Sequence, residues 1–277
     1  MDSLEPYETK PNGVFGCEGK ITSGGVTIKS SDLDFTCRIK FDDDMQANEA
    51  EITIYNLSQT TINQFKKNNK ITVEAGYMGD TGIIFDGYIV KVRTPFSGGD
   101  RATTIICIDD ITNKTITEKT YGQGTKASYI LKSLLGETGL PIAVFNMRRD
   151  WTYKDEQKVD GDLMENIKKY SEVCGVSTYI KNGKIYSRHI KEGDNLYFTL
   201  SSDTGLIGSP QEYEEQITAE DFKETINGYE CECLLQHRMT AGGIVTIKSA
   251  NVNGTYRICS GEHNFSLAGS TTKIKVY

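Results

Sequence analysis

Five sulfur and imidazole side chains crowd the last quarter of the chain: Cys231, Cys233 and His237, then Cys259 and His263. Thiolate and imidazole are the ligands zinc prefers, so gathering them would make a metal site. The spacing argues otherwise. Strand periodicity sets Tyr229, Cys231, Cys233 and Leu235 on one face, where the two thiols act as small apolar core groups, and no Cys-x2-Cys pair occurs. Gly122-Gln123-Gly124-Thr125-Lys126 offers the amides and lysine of a phosphate loop ahead of a helix, but the Gly-x4-Gly-Lys-Ser/Thr spacing is missing and the preceding strand is weak. It reads as a linker that caps the helix.

Asp42, Asp43 and Asp44 could hold calcium, and Asp109 with Asp110 could supply paired carboxylates for acid-base work. Both runs fall at expected strand ends, where solvated turn carboxylates are the ordinary case, and no EF-hand spacing surrounds them. The three histidines, His189, His237 and His263, lie on or beside expected strands with no nucleophile motif near them. Trp151, beside Arg148, Arg149 and Tyr153, is the best candidate for an exposed sugar-binding or partner-binding patch, although a lone tryptophan more often anchors packing. No catalytic residue, cofactor or metal ligand is assigned.

The 277 residues are long for one domain at about 100 to 200 residues per domain, and suggest two or three. No apolar run approaches the roughly 18 residues of a membrane span, and the polar, acidic start lacks a signal-peptide core. The chain is therefore expected to be soluble and made in the cytoplasm. Seven cysteines, an odd set, read as reduced core thiols. A net charge of −7 excludes a general electrostatic grip on nucleic acid.

Pro6 and Pro11 keep the first dozen residues extended, as an arm that orders on a neighbour. Then Leu33, Phe35, Cys37, Ile39 and Phe41 alternate with polar residues, as one face of a half-buried strand should. From Glu51 to Asp110 the pattern runs strand, short helix, strand, tight turn, strand, strand. Ile52 and Ile54 belong to the first, and Ile71, Val73 and Ala75 to the second. Ser58 can cap the short helix carrying Ile62 and Phe65, with Lys66 and Lys67 at its end. Met78 to Gly82 is turn chemistry, and the apolar run Ile105 to Ile108 suggests a strand covered on both sides. A closed or nearly closed antiparallel barrel is expected.

Helical spacing replaces alternation after Lys119. Ala127, Ile130, Leu131, Leu134 and Leu135 form one stripe ending at Gly136 or Gly139. Leu163, Ile167 and Tyr170 form another, started by Asp160 or Asp162 and ended by Gly175. A hairpin follows from Val176 to His189 about Asn182-Gly183. The remainder returns to strands: NLYFTL from Asn195, YECECLL from Tyr229, GIVTIKSA from Gly243, TYRICSG from Thr255 and TTKIKVY at the end. At constant offset Ile71 and Val73 fall on Val245 and Ile247, Ile84 on Ile258, and Gly87 on Gly261. That hints at an internal repeat, with the two glycines at equivalent points.

The run EITIYNLSQTTINQF, then KITVEAGY and IIFDGYIVKV, resembles the first domain of baseplate hub proteins of contractile phage tails and phage-tail-like bacteriocins. TGLIGSP from Thr204, YECECLL, GGIVTIKS and NGTYRICSGEHNF resemble the second barrel of the same hubs. The resemblance implies a mainly β (α+β) fold: an N-terminal arm and first tube-like barrel over residues 1–118, a small α/β domain over 119–192, and a second barrel over 193–277. It implies a non-enzymatic homotrimer, a ring of six barrels joining a six-fold tail tube to a three-fold central spike. The tube or tube-initiator protein and the spike are its partners, with tape measure and baseplate wedge proteins as further contacts. Neither specific nucleic-acid binding nor membrane insertion is expected, and the place of action is the baseplate of a virion or tail-like particle. Because the sequence ends on a strand, no appended cell-wall hydrolase is expected. The other reading is a carbohydrate-binding β-module, with Trp151 and Tyr153 lining a groove.

Overall fold

The computed structural model describes residues 16–97, 100–109, 116–181, 184–219 and 222–277; the expected N-terminal arm, the Asn182-Gly183 turn and Asp110 lie outside them. The first run of elements is β1 (Cys17–Ser23), β2 (Val26–Lys29), β3 (Phe35–Asp42), β4 (Glu49–Tyr55), α1 (Gln59–Ile62), β5 (Lys70–Tyr77), β6 (Asp80–Arg93), β7 (Phe96–Ser97) and β8 (Asp100–Ile108). Then come β9 (Ile116–Tyr121), α2 (Ala127–Glu137), β10 (Ile142–Phe145), β11 (Gln157–Asp162), α3 (Leu163–Cys174), β12 (Ser177–Lys181) and β13 (Lys184–Arg188). The last run is β14 (Asp194–Leu200), β15 (Leu206–Ala219), β16 (Phe222–Leu234), β17 (Gly243–Lys248), β18 (Asn253–Phe265) and β19 (Thr271–Val276).

Local chemistry explains most of these boundaries. The Ser58 hydroxyl accepts the Thr61 amide at 3.1 Å and so starts α1. Asp162, the second of the two expected caps, accepts the Met164 and Glu165 amides at 2.9 and 3.1 Å, and Gly175 ends α3 in the left-handed region at φ 65°. Helix α2 buries the five residues of its stripe but runs to Glu137, past Gly136, and Gly139 takes the positive φ beyond it. The β5–β6 turn is closed by Gly79 at φ 84°.

Three hydrophobic clusters result. The first holds Ile21, Phe35, Ile52, Ile71, Val73, Ile89 and Ile105, but also Leu235 and Phe265 from the last third of the chain. The second joins α2 and α3 through Ile130, Leu134, Ile167 and Tyr170. The third holds Leu200, Cys231, Cys233, Val245, Ile247, Ile258, Ile274 and Val276. The run at Ile105 differs from expectation: Ile105 and Cys107 are fully buried, while Ile106 and Ile108 are only half-buried, so β8 has one covered face.

The mainly β class stands, but the ladder of the described residues does not close. It runs as one open path, β15-β16-β19-β18-β3-β4-β8-β6-β5-β1-β2, with β17 and β14 branching from β18. The reason lies in β18. Its first half pairs with β17, its second half with β3 from Ser260↔Asp42 to Phe265↔Cys37, and β19 lies along the same second half. Two strand sets therefore join in one path.

An internal repeat is visible in this path. In chain order β3, β4, β5, β6 and β8 pair antiparallel as β3-β4-β8-β6-β5, and β15, β16, β17, β18 and β19 pair antiparallel as β15-β16-β19-β18-β17. Both copies carry a one-residue bulge at the same point of their long strand, between Ile89 and Lys91 in β6 and between Ile258 and Ser260 in β18. The constant offset fails, however. Ile71 stands opposite Gly87, whereas Val245 stands opposite Tyr256, because the second hairpin is shorter. Counted from the bulges, Gly261 corresponds to Val92 and Gly87 to Tyr256, so the two glycines are not equivalent. Each is required for its own close approach: a Cβ on Gly87 would lie 2.3 Å from the Ile108 carbonyl oxygen, and one on Gly261 2.4 Å from the Phe41 ring. The repeat also ends at β14, which is parallel to β17, while β1 is antiparallel to β5.

Candidate functional site

The side chains singled out in the sequence are dispersed by this fold. Cys231 and Cys233 point together into the third cluster, and burial pushes both thiols up to about 12. Cys259 is the bulge residue of β18, with its sulfur 3.3 Å from the Lys275 carbonyl. His237 lies over Gly82, where a Cβ would meet its ring at 2.2 Å. Among the described residues no three His, Cys, Asp or Glu side chains gather as a metal cluster. The glycine loop at 122–126 is folded on itself: the Thr125 hydroxyl donates to the Gly122 carbonyl, and Lys126 pairs with Asp150 at 3.2 Å. Asp150 also accepts the Ser128 amide, so a carboxylate of the chain itself fills the anion position at the start of α2. Trp151 is exposed on the segment between β10 and β11, and its carbonyl accepts the Ala127 amide; Tyr153, by contrast, is buried against Tyr170. His189 meets Arg148 at 2.9 Å.

The aspartate run is split by function. The Asp42 carboxyl is pushed up to about 7, first by burial and then by Asp44 and Asp43 beside it. Asp44 accepts the Gln46 amide at 2.6 Å, and Asp109 holds Asn48 through its amide and side chain at 2.8 and 2.7 Å. Asp43 turns inward, where sequence spacing could not have placed it. Its Oδ2 receives the guanidinium of Arg257 at 2.5 Å, and the Ser177 hydroxyl lies 2.7 Å from the same oxygen. The Arg257 side chain has no exposure at all.

From Arg257 a chain of polar contacts runs through β12 and β13 to the start of β14. Its guanidinium lies over the Tyr179 ring at 5.4 Å and reaches Ser177 at 3.2 Å. The Tyr179 hydroxyl accepts Arg188 Nε at 2.9 Å, and Arg188 in turn pairs with Asp194 at 3.1 Å. Lys181 adds a second cation to Asp194 at 2.8 Å. Hydrogen bonding from Arg188, then Lys181, outweighs burial and holds the Asp194 carboxyl at about 2. The loop after β3 and strands β12, β13, β14 and β18 are thereby tied at one place. The two arginines are its buried members, and misalignment would leave their charge unmatched away from water.

A second seam joins the two strand sets directly. Asp80 pairs with Arg238 at 2.7 Å, the Tyr77 hydroxyl donates to the Ser270 carbonyl at 2.8 Å, and Phe35 stacks on Phe265 at 4.9 Å. Across β3, β18, β19 and β16 one open face carries Lys40, Glu262, Lys273 and Glu232 in successive register, alternating in sign. A groove of about 800 Å³ runs over it, past Arg38, Glu230 and Ile207. Its charges are paired locally, as in Arg38–Glu262 at 2.7 Å and Lys275–Glu230 at 2.9 Å, which gives no net attraction for a polyanion. The arrangement is one of interlocking seams and open strand edges, features of an assembling part.

Comparison with known proteins agrees. The chain has the fold of the 43 kDa tail protein of prophage MuSo2 from Shewanella oneidensis, with a TM-score of 0.61 at 10% identity over 94% of this chain and 96% of that one. It is similar to the tail protein from Neisseria meningitidis MC58, with a TM-score of 0.60 at 10% identity over 95% and 96% of the two chains. The E. coli c3393 protein, a type VI secretion component described as similar to the T4 tail proteins gp27 and gp5, gives a TM-score of 0.60 at 10% identity over 93% and 76%. No curated protein matches by sequence. The family model for baseplate hub gp41 matches residues 19–271, and over that span, nearly its whole length, the chain belongs to the baseplate hub gp41 family of phage tail proteins.

Proposed function

We propose that the chain works as a homotrimeric adaptor, joining a six-fold tail tube to a three-fold central spike in the baseplate of a virion or tail-like particle. Residues 1–118 and 193–277 act as two tube-like barrel domains, and residues 119–192 form the α/β domain between them. The observation that carries this reading is the duplicated strand order, β3-β4-β8-β6-β5 and β15-β16-β19-β18-β17. A chain holding two copies of one unit presents six near-equivalent units when three chains close a ring, which is how a three-fold body meets a six-fold one. The rigid seams suit a part that transmits load, and the work is structural, without cofactor, metal or catalytic residue. The tube or tube-initiator protein and the spike are its direct partners, with tape measure and wedge proteins as further contacts; neither specific nucleic-acid binding nor membrane insertion enters the role.

Co-expression with the tube and spike proteins of the same particle tests this. The expected result is one complex containing all three, with three copies of this chain for each spike trimer. Recovery of the chain free of both partners would refute the adaptor role.

A further inference from the structure

The internal repeat leaves, in each copy, one strand edge without the partner that its counterpart has in the other copy. In the second copy of the unit, β18 carries β19 on one edge past its bulge and β3 on the other, in the register Asp42↔Ser260, Lys40↔Glu262, Arg38↔Asn264. In the first copy, β6 carries β8 past its bulge, and among the described residues no strand lies on the opposite edge from Lys91 onward. The equivalence of the two strands is close at this point. Ile89 accepts the Asn68 amide at 2.8 Å just as Ile258 accepts the Gly242 amide at 2.9 Å, immediately before each bulge. Lys91 then stands where Ser260 does, and Arg93 where Glu262 does.

The counterpart of β3 is β15. Following the ladders from the bulges, Cys107 corresponds to Val276, Ala50 to Tyr229 and Ile39 to Glu212, so that Glu215 takes the place of Asp42 and Tyr213 that of Lys40. β15 pairs with β16 on one side, and among the described residues no strand covers its other side. Within one chain these two edges lie at opposite ends of the run from β15 to β6 and cannot meet. A second copy can bring them together.

We propose that β15 of one copy pairs antiparallel with the open edge of β6 in the next, repeating between chains the junction that β3 and β18 make within one. This rests on the homotrimeric reading above and names its contact. Charge supports the choice of occupant. Glu212, Glu214 and Glu215 are exposed on β15, and Lys91 and Arg93 are exposed on β6 and form no ion pair among the described residues. In the transferred register Glu215, whose carboxylate also accepts the Tyr277 hydroxyl, faces Lys91, on the same face of the sheet where Lys40 faces Glu262 within the chain. Three glutamates along the β15 edge also oppose pairing with a second β15, which leaves the head-to-tail contact, the kind that closes a ring.

The test is a disulfide across the proposed register. Opposed residues in an antiparallel pair have Cα atoms about 4.5 to 5.5 Å apart, within the range a disulfide spans. The full chain carrying both Lys91→Cys and Glu215→Cys is expected to give covalent dimers and trimers on oxidation, while either single variant gives none. Glu215→Lys should weaken self-association about tenfold or more, and adding Lys91→Glu should restore it. Oligomers that form but do not cross-link at these positions would overturn the edge pairing and leave the trimer intact. A chain that stays monomeric and uncross-linked, both alone and with the spike protein, would overturn both.

Discussion

Asp43→Ala is expected to lower the unfolding free energy by about 3 to 5 kcal/mol, the cost of leaving a buried cation without its partner. Arg257 has no exposed side-chain surface, and its Nε lies buried without a hydrogen-bond partner among the described residues, so the guanidinium has no water to fall back on. The loss should exceed what Asp43 contributes on its own. Arg257→Met combined with Asp43→Asn removes charge and counter-charge together, and is expected to cost less than Asp43→Ala alone. Urea unfolding of the three proteins checks this. If Asp43→Ala unfolds at the wild-type midpoint, the network does not hold the segments together. The position of these residues gives the effect its reach: Asp43 follows β3, Ser177 and Tyr179 belong to β12, and Arg257 belongs to β18, so the contact fixes how the middle unit sits on both strand sets.

Lowering the pH from about 6.5 to about 4 is expected to remove about 3 kcal/mol of stability through His263. The ring is buried between the Thr272 hydroxyl, 2.8 Å from Nδ1, and the Met239 carbonyl, 3.1 Å from Nε2. A carbonyl can only accept, so Nε2 carries the proton and Nδ1 accepts from Thr272. No place remains for a second proton, and burial, partly offset by the Met239 carbonyl, holds the ring at about 4. Between 4 and 6.5 the unfolded chain therefore binds more protons than the folded one, and stability falls as pH falls; below 4 both states are protonated and the slope ends.

Asp42 works in the opposite sense. Its folded carboxyl, raised to about 7, keeps a proton that the unfolded chain releases near 3.8, so its contribution is present in acid and fades as pH rises through 7. Comparison with His263→Gln isolates the histidine. The wild type should lose about 2 to 3 kcal/mol more than the variant between pH 7 and pH 4.5. Equal losses would mean that His263 does not titrate as its surroundings require.

Where hydrophobic period and cap chemistry act locally, the fold is legible in the sequence. The stripe of α2, the Ser58 and Asp162 caps, Gly175, and the alternation of Ile71, Val73 and Ala75 all reappear at their expected places. The readable signal fades in β15. EYEEQIT has no apolar alternation, and its pairing from Gln211↔Glu230 to Ala219↔Phe222 is held by backbone bonds that leave no mark on side-chain type. Polar strands β9 and β11 escape notice for the same reason. Ile71 and Val73 signal the repeat, but a constant offset does not follow it through a hairpin of changed length, and the glycine match at 87 and 261 is coincidental. The seam at Asp43 and Arg257 lay beyond reach in another way: the two residues are 214 positions apart, and nothing in either neighbourhood announces the partner. Likewise the merging of two strand sets at β3 and β18 depends on how far β18 extends past its bulge, which alternation alone does not fix.

Mass determination of the intact chain in solution, alone and with the spike protein, bears on the hub reading more sharply than any single substitution. A species of three times the 30.8 kDa chain mass, formed alone or on addition of the spike, is the expected result. A chain that remains a monomer under both conditions would contradict it.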